Sequence, residues 1–179
     1  MKKHKPLFIV LIAIAVVLIV LVLCLPLPGW PAQKRAIREI NRNCNVPFAL
    51  ALPETELKNT DEFIKEEGFG CYDLENDDVT FRLACYPDTL NDFHVISYEI
   101  KSSKYTFMGL QVGCSLDAAC EAMEQHGYTL SDQYQNVYAL TAQDLYRKNG
   151  VGITISSSDN TVTSFSVYVK TSNLLFVNY

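Results

Sequence analysis

Five cysteines, Cys44, Cys71, Cys85, Cys114 and Cys120, together with His94 and His126, are the residues best suited to chemistry in this chain of 179 residues. A thiol nucleophile needs a base within hydrogen-bond reach and a third group to orient that base. The sequence sets up no such trio, and it contains no Cys-x-x-Cys redox pair. His94 is opposite in parity to Phe93 and Val95, which reads as a solvated strand histidine. Cys114, Cys120 and His126 offer only three metal ligands, at a spacing that matches no ordinary zinc pattern. Asp73, Glu75, Asp77 and Asp78 outline a calcium-type loop, but its sixth position is Asp78 instead of Gly and its twelfth is Ala84 instead of Glu. Gly-rich phosphate loops, Gly-x-Ser-x-Gly elbows and His-Glu-x-x-His motifs do not occur. The expectation is a protein without catalytic, cofactor-binding or metal residues; an enzyme using a free thiol is the alternative.

The cysteine density itself points to an oxidising compartment and to structural disulfides among Cys44, Cys71, Cys85, Cys114 and Cys120. An odd number leaves one thiol over, and sequence does not choose the pairing.

Leu7–Leu25 is an uninterrupted apolar run of nineteen residues, preceded by Lys2, Lys3 and Lys5 and ended by Pro26, Pro28, Gly29 and Pro31. As a helix it would span roughly 28 Å, close to the ~30 Å hydrocarbon core of a bilayer. It exceeds the ~7–15 residues of a cleaved signal, and cuts after Gly29 or Ala32 would put the bulky Leu27 or Trp30 at the upstream position that wants a small residue. Leu21–Cys24 resembles a lipoprotein box, but the bulky Leu23 stands where a small residue belongs. The reading is a signal anchor with the basic N-terminus inside, Trp30 at the outer interface and the remainder extracytoplasmic. The same head facing the cytoplasm is the alternative.

All twenty acidic residues follow the run, against twelve basic ones, which gives that part a charge of −8. Lys34, Arg35, Arg38 and Arg42 offset only Glu39 within 33–43, so the chain from Cys44 onward is still more acidic. Nucleic acid is therefore excluded as a partner. Gln33–Asn43 reads as a basic helix, with Ile37 and Ile40 turned to the head or the basic residues turned to anionic headgroups.

Asn59–Asp61 opens a predicted helix over Asp61–Glu67, stopped by Gly68. Val79–Cys85, Phe93–Lys101, Asp144–Lys148, Val151–Ser157, Val162–Lys170 and Leu174–Val177 read as strands, with a short one beginning at Tyr105. Asn149-Gly150 is a hairpin turn. Ser115 caps a second helix, Leu116–His126, with Asp117 in its first turn. Val95–Ile100 parallels Val162–Val167, and Glu66–Phe69 parallels Gln125–Tyr128, which predicts repeats over 54–112 and 113–179.

Gly113–Met123, a Gly-x-Ser opening followed by a short helix and then strands, resembles the small modules of β-lactamase-inhibitor-like proteins and outer-membrane assembly lipoproteins. The resemblance implies an envelope protein that acts through a sheet face without catalysis, and it carries no site residues over to this chain.

The expected fold class is α+β: one N-terminal transmembrane helix, then a small head of two helix-then-antiparallel-sheet units. The expected organisation is a cytoplasmic tail over 1–6, the anchor over 7–25, a juxtamembrane turn and basic helix over 26–43 and the head over 44–179. The expected role is binding an envelope protein at the cell membrane, by a sheet face or by an edge strand such as Leu174–Val177.

Overall fold

The computed structural model describes residues 30–68, 70–85, 92–136 and 141–169. Its framework is one eight-stranded antiparallel sheet, order β1-β2-β3-β4-β8-β7-β6-β5. The strands are β1 Ile64–Gly68, β2 Cys71–Glu75, β3 Val79–Cys85, β4 Phe93–Ile100, β5 Thr129–Asn136, β6 Thr141–Lys148, β7 Val151–Ser158 and β8 Thr161–Val169. Two four-stranded meanders thus lie side by side, joined where Ser97–Ile100 of β4 pairs with Phe165–Tyr168 of β8. Helix α1 (Trp30–Asn43) precedes the first meander and α2 (Leu116–Gln125) the second.

One face of this sheet is the core. Val79, Phe81 and Leu83 of β3, Tyr98 and Ile100 of β4, and Phe165 and Val167 of β8 are all buried on it. Alternation in β3 supplies the pattern directly, since side chains point to opposite faces with a period of two. β4 and β8 each break that period once. The register skips Ile96 opposite Arg82–Leu83 and Thr163 opposite Ser156–Ser157. These bulges let Val95 and Tyr98, three residues apart, face the core together, and likewise Val162 and Phe165. Helix α1 adds Ala36, Ile37 and Ile40 to the same core, while Lys34, Arg35, Arg38 and Arg42 stay exposed. Helix α2 adds Ala119 and Met123 and lies against β7 and β8. Its N-cap Ser115 accepts a hydrogen bond from the Ala118 amide at 3.3 Å.

Several expectations are corrected here. The helix expected over Asp61–Glu67 stops after a single 3-10 turn, Thr60–Glu62. Residues 64–68 form β1 instead, because pairing Ile64–Gly68 with Cys71–Glu75 satisfies the backbone more fully than a short charged helix would. The α+β head of two helix-then-sheet units is therefore replaced by one continuous sheet with two short helices. β5 was not anticipated, and Tyr105–Phe107 contributes only an isolated bridge at Phe107.

Among the described residues no helix is long and apolar enough to cross a membrane. At 14 residues, α1 would extend about 21 Å, and it carries five charges. The transmembrane helix, the signal anchor and the single-pass location with an extracytoplasmic head thus find no support in the described fold. The run Leu7–Leu25, the tail before it and Cys24 lie outside the described residues, as does Leu174–Val177.

The expected disulfides are also absent: Cys44, Cys71, Cys85, Cys114 and Cys120 are all free. Cys71 pairs opposite Ala84, so Cys85, one position along, points to the other face of the sheet. Cys44 meets the Tyr98 hydroxyl, whereas Cys120 meets Asp144, so neither sulfur has a thiol in its place.

Candidate functional site

The cysteines and histidines singled out by sequence are dispersed. Tyr98 donates its hydroxyl to Cys44 Sγ at 3.1 Å inside the core, and burial pushes the Cys44 thiol up to about 11. The Cys120 thiol donates to Asp144 Oδ2 at 3.7 Å, and burial raises its pKa as well. Burial likewise raises Cys114. Raised thiols are the reverse of what nucleophilic catalysis requires. His126 Nδ1 sits 3.2 Å from Glu39 Oε1, and His94 Nδ1 lies 3.0 Å from the Asp92 carbonyl. Cys114, Cys120 and His126 are not brought together, and no metal-binding group of His, Cys, Asp and Glu occurs among the described residues.

The acidic turn after β2 is built on ammonium groups. Lys101 ion-pairs with Glu75. Ser102 Oγ and Lys104 Nζ both donate to the Asp78 carboxylate at 2.7 Å. These partners hold the Glu75 and Asp78 carboxyls below the usual range, the Lys101 hydrogen bond dominating at Glu75 and the Lys104 hydrogen bond at Asp78. Asn76 Oδ1 accepts from the Asp78 and Val79 amides at 3.0 Å and closes the turn.

The side chains that do converge lie on the other face of the sheet, over the β4–β8 seam. Cross-strand register places Asp73, Arg82, Ser97, Tyr168 and Gly152 in one row and Glu75, Thr80, Glu99, Ser166 and Thr154 in the next. Asp73, Thr80, Arg82, Ser97, Glu99 and Tyr168 border a shallow depression of about 230 Å3. Short hydroxyl side chains at its centre make it concave.

Two of its walls are fixed by neighbours. Arg82 donates from Nε to Asp73 Oδ1 and from Nη2 to Asp73 Oδ2, both at 2.9 Å, a bidentate pair that sets the plane of the guanidinium. The Tyr168 ring lies over Gly152 on β7, in the space that a Cβ at that position would occupy. A glycine inside a strand often marks such a close approach. Glu99, flanked by Thr80 and Ser166, carries no ion pair among the described residues.

Sequence reasoning did not identify this group. The residues come from four strands, and only the register and the two bulges align them. Gly152, next to the β-branched Val151, Ile153, Thr154 and Ile155, was the one local signal.

Comparison of the chain with protein-family models, with curated proteins and with solved structures returns no match.

Proposed function

We propose that this protein is a non-catalytic binding module that holds a protein partner on the open sheet face, at the β4–β8 seam. The observation carrying this reading is the pair of pre-set anchors: Arg82 clamped by Asp73, and Tyr168 seated on Gly152. Arginine and tyrosine dominate binding energy at interfaces, and a side chain already held in place loses little rotamer entropy on docking. Neither residue belongs to the buried core. The resemblance of Gly113–Met123 to sheet-face binding modules points the same way. Raised thiols without histidine partners work against the thiol-enzyme alternative.

Of the described sheet edges, β1 presents Lys65, Glu66 and Glu67 along its five exposed residues. Such charges discourage strand addition along that edge.

A photo-crosslinking amino acid placed at Thr154, on the face beside Ser166 but outside the depression, and separately at the exposed Glu121 of α2 tests this in cells that make the full chain. A discrete adduct is expected from position 154 and not from 121, and it is expected to vanish when Tyr168→Ala is added. Adducts from position 121 alone, or a 154 adduct indifferent to Tyr168→Ala, would overturn the proposal.

A further inference from the structure

We infer that the depression over the β4–β8 seam is a subsite for a single arginine side chain of the partner. The inference rests on the open-face reading above and adds the chemistry of the group that enters.

Charge carries it first. Asp73 and Arg82 cancel each other in their bidentate pair, and Glu75 is matched by Lys101 just beyond the rim. Glu99 is left as the uncompensated charge of the lining, half-buried beside Thr80 and Ser166. A depression whose lining sums to one negative charge favours one cation. A single carboxylate among hydroxyls is a poor site for a divalent metal, which takes six or more oxygen ligands or retains a shell of water. An organic cation fits better.

Shape and surface select among organic cations. The ring of Tyr168 borders the depression and is seated on Gly152. A planar guanidinium stacks on such a ring and can present two parallel donors to Glu99, whereas an ammonium offers only a point charge. Ser97, Thr80 and Ser166 then supply hydroxyl oxygens for the remaining guanidinium donors. The volume of about 230 Å3 accommodates one side chain, so specificity for a sequence would come from contacts outside the depression.

The test uses the full-length 15N-labelled chain and the blocked tripeptide N-acetyl-Gly-Arg-Gly-amide, with the Lys and Glu analogues as comparisons. Saturable shifts are expected at the amides of Ser97–Glu99 and Ser166–Tyr168 with the arginine peptide. The lysine peptide is expected to bind several-fold more weakly and the glutamate peptide not at all. Glu99→Gln, which keeps shape and removes charge, is expected to weaken arginine binding about tenfold while the spectrum elsewhere stays unchanged. Thr80→Arg, which places a tethered guanidinium beside Glu99, is expected to abolish it. Equal shifts from the glutamate peptide, or undiminished binding by Glu99→Gln, would overturn the assignment. Should the arginine peptide shift nothing while the position-154 adduct still depends on Tyr168, the arginine subsite falls and the face reading stands. Should that adduct also ignore Tyr168, both fall.

Discussion

Tyr98 and Glu99 are chain neighbours on β4, yet they belong to two different materials. On the closed face, Tyr98 packs edge-on to Phe81 at 6.0 Å between ring centroids, within a cluster that continues to Phe48 and Phe63. On the open face, Glu99 stands among hydroxyls with no ion pair among the described residues. Phe165 and Ser166 on β8 repeat the contrast across the seam. The closed face is close-packed and leaves little room for change, as interiors generally do. The open face makes few contacts that the fold needs, yet it holds an arginine and a tyrosine in fixed positions. On the proposed reading, stability and recognition are separated by the pleat of the same two strands.

Substitutions on the two faces sharpen or break that separation. Phe165→Ala removes a fully buried ring that packs on Phe107, with centroids 5.3 Å apart, and should cost about 3–5 kcal/mol in chemical denaturation. Ser166→Ala, next in the chain but on the other face, should stay within about 0.5 kcal/mol. Similar costs for the two would erase the distinction between the faces.

Gly152→Ala comes next in size. The new methyl must displace the Tyr168 ring, an overpacking cost of about 1–3 kcal/mol, and partner capture should fall with it. Adding Tyr168→Ala should restore stability without restoring capture.

Lys148→Met tests a tie on the closed side, where Lys148 Nζ lies 2.7 Å from Glu39 Oε2 and joins α1 to β6. Burial alone would raise the Glu39 carboxyl, but hydrogen bonds from Lys148 and His126 outweigh it and hold the group below its ordinary value. A depressed folded pKa contributes stability above the ordinary value of 4.5 and loses it as pH falls through the lower folded value. The variant should therefore lose about 1 kcal/mol at neutral pH, with the deficit shrinking below about pH 4. A deficit independent of pH would contradict the pairing.

Tyr128→Phe should show the smallest effect and the opposite sign. The Tyr128 hydroxyl is buried without a hydrogen-bond partner among the described residues, so its removal should be neutral or stabilising by up to about 1 kcal/mol. Destabilisation beyond that would show that the hydroxyl is satisfied after all.

Much of the closed face was legible in the sequence because periodicity writes it directly. Val79–Cys85 emerged with the same bounds, and Ser115 caps its helix as its position before Leu116 and Asp117 implied. The correspondence of Val95–Ile100 with Val162–Val167 places the two bulge residues, Ile96 and Thr163, at equivalent positions. Local signals misled where strand pairing decided the outcome. Asn59–Asp61 begins a helical turn, but sheet hydrogen bonds to β2 claim the residues that follow. Cysteine number predicted bridges, whereas pairing geometry keeps every described thiol away from another. The open-face group was hidden for the same reason: Arg82, Glu99, Gly152 and Tyr168 mean little singly and converge only once eight strands are in register.

The central claim, that recognition and stability lie on opposite faces of one sheet, is tested most directly by Tyr168→Ala. Capture of the position-154 adduct and the midpoint of thermal unfolding should be measured on the same preparation. The account predicts that the adduct is lost while the midpoint moves by only a few degrees, as expected for a half-buried side chain outside the core. Retained capture, or capture lost only in step with unfolding, would contradict it.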